Sequence, residues 1–162
     1  MIVLGVDPGS NTTGYGLVEQ IEGGLACLEW GHITSPRNTT FYSRIHNIFS
    51  SMVEIMNRYG PQELAIEDVF YAKNVKSSLK LGHARGAVLI AAVQCGLRIY
   101  EYSALEIKKA VVGYGRASKE QVRSMVKMIL SLEEEPGLDS SDALAAAVCH
   151  LNWQRYDRGT RR

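Results

Sequence analysis

Met1 to Val6 is apolar and rich in Ile and Val, then meets Asp7-Pro8-Gly9-Ser10, a strong turn signal. A second strand is expected over Gly14–Gln20 and a third over Leu25–Ile33, linked by Glu22-Gly23-Gly24. Three strands with such short links predict an antiparallel meander. Ser35-Pro36-Arg37-Asn38 then breaks the pattern. Ile45, Ile48, Phe49, Met52, Ile55, Met56 and Tyr59 recur at helical spacing, so a helix is expected from Thr40 to Tyr59, stopped by Gly60-Pro61. Leu64–Phe70 reads as a short fourth strand ending in acids, and Leu97–Tyr102 as a fifth. Between them a helix runs from about Ser77 to Gln94, closed by Gly96. Ser103-Ala104-Leu105-Glu106 and Ser118-Lys119-Glu120-Gln121 are capping-box patterns. They open a short helix ending near Gly113 and a longer one ending near Leu132. After the acidic loop Glu133–Gly137, Asp139-Ser140-Ser141-Asp142 opens a last helix to about Tyr156. The fold class expected is α/β, one five-stranded mixed sheet with helices on both faces.

The 162 residues suit one domain, expected over residues 1–156, with a short, frayed basic tail at 157–162. The net charge of +1 says little until the chain is divided. Residues 1–72 carry net −5, residues 73–119 net +7, residues 120–154 net −4, and residues 155–162 net +3. A basic middle can be a set of solvated helix faces or a surface for a polyanion beside an acidic site. No apolar run is long enough for a transmembrane helix, and the amino-terminal stretch lacks a signal-peptide pattern. Cys27, Cys95 and Cys149 form neither a disulfide framework nor a zinc motif, so a cytoplasmic location is expected.

Four acids stand in telling places. Asp7 ends the first strand, where an Asx turn would also suit it. Glu67 lies late in an apolar strand, where burying a carboxylate is costly unless it is paired or binds a cation. Asp139 and Asp142 sit three apart at a helix start. Capping accounts for Asp139 well, but Asp142 less so, because residues three apart share a face and two anions repel. Strand ends in an α/β sheet meet at one edge, and ligands bind there. Four carboxylates converging there need a hard cation, with Mg²⁺ the natural choice. Two such ions about 3.5–4 Å apart suit phosphodiester hydrolysis, one activating water and one stabilising the leaving oxygen.

The motifs then form a series: Gly5-Val6-Asp7-Pro8-Gly9-Ser10 with Thr13-Gly14-Tyr15-Gly16; Ile66-Glu67-Asp68-Val69-Phe70-Tyr71-Ala72-Lys73-Asn74; Leu81-Gly82-His83-Ala84-Arg85-Gly86; Val111-Val112-Gly113-Tyr114-Gly115; and Asp139-Ser140-Ser141-Asp142-Ala143-Leu144-Ala145. In order and spacing, over about residues 2–150, the series resembles the RuvC crossover-junction endodeoxyribonucleases, the Holliday junction resolvases. The resemblance implies a ribonuclease-H-like fold, a homodimer, and Mg²⁺-dependent paired nicking of opposite strands of a four-way DNA junction, with Mn²⁺ as a substitute metal. It assigns catalysis and metal binding to Asp7, Glu67, Asp139 and Asp142; some members carry His where this chain has Asp142. It places Phe70 against an unpaired base and Lys108 and Lys119 on the DNA backbone.

With the charge map, it also marks Lys73, Asn74, Lys76, Lys80 and Arg116 as DNA-binding. The RuvA–RuvB branch-migration complex is the expected partner, and no membrane is. The helix bearing Gly82, Ala84, Gly86, Ala87, Ala91 and Ala92 can pack on its own sheet or admit a partner helix, where a C2 dimer would place two sites symmetrically. A hybrid nuclease of the same fold and a catalytically silent junction binder remain alternatives. A sugar-kinase-like or actin-like nucleotide binder needs a second domain, for which 162 residues leave no room.

Overall fold

The structure, a computed structural model, describes residues 1–68 and 74–160, with side chains as far as residue 154. Ten elements follow one another: β1 (Ile2–Asp7), β2 (Thr12–Ile21), β3 (Gly24–Thr34), α1 (Phe41–Tyr59), β4 (Glu63–Glu67), α2 (Val75–Gln94), β5 (Arg98–Tyr102), α3 (Ala104–Val112), α4 (Lys119–Ile129) and α5 (Leu138–Thr160). The strands form one sheet in the order β3-β2-β1-β4-β5. β1, β2 and β3 pair antiparallel, with a bulge at Leu17/Val18, while β4 pairs parallel to both β1 and β5. This is the mixed, helix-flanked sheet that the hydrophobic pattern predicts.

Strand alternation sorts the core into two layers. Leu4, Val6, Leu17, Leu64 and Ile66 face α1 and α2, against Ile48, Met52, Met56, Ala84, Val88 and Ala91. Val3, Val18 and Ala65 point the other way, towards Leu144, Ala147, Val148 and Leu151 of α5 and Val111 and Val126 of α3 and α4. By the same parity Asp7 follows Val3 and Gly5, and Glu67 follows Glu63 and Ala65, so both acids lie on the α5 face.

Several boundaries differ from the sequence reading for local reasons. β4 ends at Glu67 rather than Phe70: Asp68 lies outside the strand, its N–H bonded to the Tyr102 carbonyl, and Phe70 lies outside the described residues. α2 starts two residues before Ser77, because the Asn74 side chain accepts from the Lys76 and Ser77 N–H groups and caps it. α4 ends at Ile129 rather than near Leu132; Ser131 follows in the left-handed region at φ 50°. α5 already includes Leu138, so Asp139 stands in its first turn rather than before it, and the helix continues past Tyr156 to Thr160. The stop at Gly60 (φ 59°) and both capping boxes form as the sequence predicts. No helix among the described residues is long and apolar enough to cross a membrane.

α5 runs back along β4. Glu63 and Glu67 are four residues apart in a strand, about 13 Å. Asp142 and His150 are eight apart in a helix, about 12 Å. The two rows therefore match, with Asp142 beside Glu67 at one end and His150 beside Glu63 at the other. Glu63 is fully buried (0% exposed) and held there: Arg98 Nη2 stands 2.5 Å from Oε1, Gln154 Nε2 donates to Oε2 at 2.7 Å, and His150 Nε2 donates to Oε2. A carboxylate can only accept, so Nε2 carries a proton, and on the other side of the ring Nδ1 shares a hydrogen bond of 2.6 Å with the Tyr102 hydroxyl.

Candidate active site

β1 and β4 lie side by side and parallel, in register at Val6↔Ile66. Asp7 and Glu67 are the next residues on each strand, so their side chains leave adjacent strand ends on one face. α5 can reach them because the sheet is notched. Asp7 pairs across β2 with Gly14, and Gly5 with Gly16. A Cβ on Gly5 would overlap the Ala143 carbonyl oxygen, and one on Gly14 the Asp139 carbonyl. Only glycine lets the helix backbone lie this close. Ser140 fastens the contact, its hydroxyl donating to the Gly31 carbonyl of β3 at 2.7 Å. The first turn of α5 thus brings Asp139 and Asp142 over the ends of β1 and β2.

The electrostatics record this convergence. Asp7 is raised from 3.8 to about 7, first by burial, then by the charges of Asp142 and Asp139, with Glu67 adding and Lys119 opposing. Glu67 is also raised, by burial and then Asp142, against Lys119, Lys108 and Arg85. Both shifts come first from burial, and neighbouring carboxylates push each the same way against the site's cations. Lys119, at the start of α4, stands 2.6 Å from Asp142 Oδ2. That contact is the first cause of its raised pKa. Glu67, Lys108, Lys119 and Asp142 line one cleft of about 150 Å³, floored by Ile107 and Val122. Among the described residues, no three His, Cys, Asp or Glu side chains are drawn together tightly enough to form a ready-made metal cage. The donors still fit a hard divalent cation in kind: they are carboxylate oxygens, two of them carrying unfavourable charge.

The structure therefore gathers Asp7, Glu67, Asp139, Asp142, Lys108 and Lys119. Lys76, Lys80 and Arg116 are exposed and lie outside that cleft. Asn74 uses its side-chain oxygen to cap α2. Phe70 and Lys73 lie outside the described residues. Sequence reasoning missed one residue that touches the site. Arg85, named above only as part of the Leu81–Gly86 motif, donates Nη1 to the Glu67 carbonyl at 2.5 Å. The available signal was an arginine set among Ala84, Gly86 and Ala87 on a face patterned for burial.

Comparison with known proteins agrees with this geometry. The family model for "Crossover junction endodeoxyribonuclease RuvC" matches residues 3–150. Relatives bearing that name include one from Geobacter metallireducens, 49% identical over 94% of this chain and 93% of its own length. Another, from Magnetococcus marinus, is 45% identical over 98% of this chain and 88% of its own. The Thermus thermophilus RuvC structure in complex with a Holliday junction substrate superposes with a TM-score of 0.91 at 33% identity, covering 97% of this chain and 96% of that one. The yeast mitochondrial Holliday junction resolvase shares the fold at a TM-score of 0.67 and 13% identity. This chain belongs to the RuvC family of crossover junction endodeoxyribonucleases.

Proposed function

We propose that this protein resolves Holliday junctions by paired, symmetric nicks in opposite strands, as a homodimer using Mg²⁺ held by Asp7, Glu67, Asp139 and Asp142. The observation that carries this reading is the convergence of those carboxylates at the ends of β1 and β4, where burial first and then the charges of Asp142 and Asp139 raise Asp7 to about 7 against the opposing charge of Lys119. When bound, divalent metal supplies acidity for water and positive charge for the phosphodiester. The chain's own residues do the rest. The four carboxylates orient the metal. Lys119 and Lys108 reach the same cleft and meet the scissile strand's phosphates. Lys73, Asn74, Lys76, Lys80 and Arg116 belong to the segment of net +7 and grip the backbone, positioning DNA without reading its sequence. Phe70 stacks on an unpaired base, a contact worth about 1–3 kcal/mol. Residues 1–156 act as the nuclease unit and 157–162 as a basic tail.

The dimer forms through α2. Its exposed Leu79, Ile90 and Val93 flank Gly82 and Gly86, at which added side chains would meet nothing. A groove of about 690 Å³ between α1 and α2 runs beside them. A two-fold axis on this face makes two equivalent sites, as symmetric nicking requires. RuvA–RuvB is the partner expected of the family, and Mn²⁺ the substitute metal.

The test is a labelled four-way junction incubated with Mg²⁺, Ca²⁺ or EDTA beside linear duplex and RNA–DNA hybrid. Symmetric nicks in the junction with Mg²⁺ alone support the reading. Tight binding with no cutting in any metal would replace it with a silent binder, and cutting of hybrid alone would change the substrate.

A further inference from the structure

We propose that Arg85 is a positioning residue for Glu67, acting on the end of β4 from the sheet face opposite the acids; this rests on the reading of Glu67 as a metal ligand. Arg85 lies mid-way along α2, and its side chain is 11% exposed. Nη1 donates to the Glu67 carbonyl at 2.5 Å. Nη2 stands 3.1 Å from Glu101 Oε2 on β5, as an ion pair lying off the hydrogen-bond direction. The guanidinium therefore bridges two neighbouring strands where the sheet is running out. Pairing of β4 with β1 ends at Val6↔Ile66, and pairing with β5 ends at Glu67↔Tyr102. Glu67 is the last residue of β4, and its carboxylate must leave the strand in a fixed direction.

Packing alone does not account for this arginine. A buried N–H group without a hydrogen bond costs stability, so a methionine would fill the space more favourably. What methionine lacks is a rigid fork that grips two strands at once. Groups that hold metal ligands in place typically change metal affinity or activity by roughly 10–100-fold when removed. α2 also carries the proposed dimer face. Arg85 thus ties that helix, by a hydrogen bond, to the strand end that carries Glu67.

The test compares the full-length protein with Arg85→Met, Arg85→Lys and Glu101→Gln. Mn²⁺ binding is followed by titration calorimetry without DNA, with kcat and KM for junction cleavage and a thermal melt alongside. Arg85→Met is expected to weaken Mn²⁺ binding at least roughly tenfold. It lowers kcat at sub-saturating metal and leaves the junction KM unchanged, because the DNA-facing lysines are untouched. Arg85→Lys keeps the charge but one contact point, and falls between. Glu101→Gln frees one arm and shows the same direction at smaller size. Parent-like Mn²⁺ affinity in Arg85→Met overturns the proposal. Should that variant not fold, parent-like affinity in both Arg85→Lys and Glu101→Gln overturns it equally. A parent protein that binds Mn²⁺ but cuts no junction refutes the proposed function and leaves the role of Arg85 towards Glu67 to the calorimetry.

Discussion

The two ends of β4 set the same chemical problem and solve it oppositely. Each presents a glutamate to α5, Glu63 at the start and Glu67 at the finish. Glu63 is wholly buried and surrounded by Arg98, His150 and Gln154. Glu67 is half-buried beside Asp7 and Asp142, and its pKa is raised. A buried carboxylate furnished with donors is structure; one furnished with further carboxylates is a demand for a cation. The helix that seals one end thus delivers the acids to the other.

The sharpest way to break this contrast is to remove charge at the acidic end. Asp7→Asn is expected to lower junction cleavage roughly 1,000-fold, the equivalent of about 4 kcal/mol of transition-state stabilisation. The same change is expected to raise the melting temperature of metal-free protein, because it deletes a desolvated charge repelled by Asp139 and Asp142. Single-turnover rates and melts in EDTA check both halves. A variant that is inactive and also less stable would show that Asp7 is held by internal partners, as Glu63 is.

At the other end the sign reverses. His150→Leu leaves Glu63 buried with fewer donors, and removing one partner of a buried pair costs about 3 kcal/mol. Urea unfolding measures it. Cleavage by the folded fraction at saturating metal should stay within a few-fold of the parent, since His150 sits about 12 Å along α5 from Asp142. Equal stability in the variant would remove the distinction between the two ends.

That distinction was only half visible in the chain itself. Alternating apolar residues and capping boxes announced the strands and helices, and Asp7, Glu67, Asp139 and Asp142 stood out because acids closed apolar runs or crowded a helix start. The pin at Glu63 did not stand out. His150 lies eighty-seven residues away from Glu63, and no local spacing links a strand glutamate to a helix histidine. Arg85 was hidden for the same reason, since its partners, Glu67 and Glu101, come from two different strands. The glycines at 5, 14 and 16 were legible as turn or strand residues, but their use as a bed for α5 needed the register between β1 and β2. Local propensity is written locally; contacts between distant elements are not.

Proton linkage sharpens the contrast next. The carboxyl of Asp7 is held at about 7 in the fold against 3.8 unfolded, so between those values the native state binds the extra proton. Stability of metal-free protein therefore falls as pH rises from about 4 to 7, by an amount on the order of 2 kcal/mol once partial solvation is allowed for. Metal binding below pH 7 must displace that proton. Calorimetry in two buffers of different ionisation heat should detect up to about one proton released at pH 6 and almost none at pH 8. No release at pH 6 would mean that the acids are already ionised together.

The smallest effect concerns the cation that pairs directly with an acid at this end. Lys119 pairs with Asp142 at 2.6 Å, yet its side chain is 63% exposed. Such a pair is worth under about 1 kcal/mol. Lys119→Met should therefore lower the stability of metal-free protein only slightly, in the direction opposite to Asp7→Asn, because it removes positive charge that moderates Asp7, Glu67 and Asp142 together. Added Mn²⁺ should abolish the difference between variant and parent melts, since the ion then does what the ammonium did. If the gap persists at saturating Mn²⁺, Lys119 is an ordinary surface pair, and the acidic end lacks an internal substitute for metal. If it closes, the lysine and the metal compete for the same carboxylates. Raised salt would then weaken the lysine's share more than the metal's, because exposed pairs are screened first.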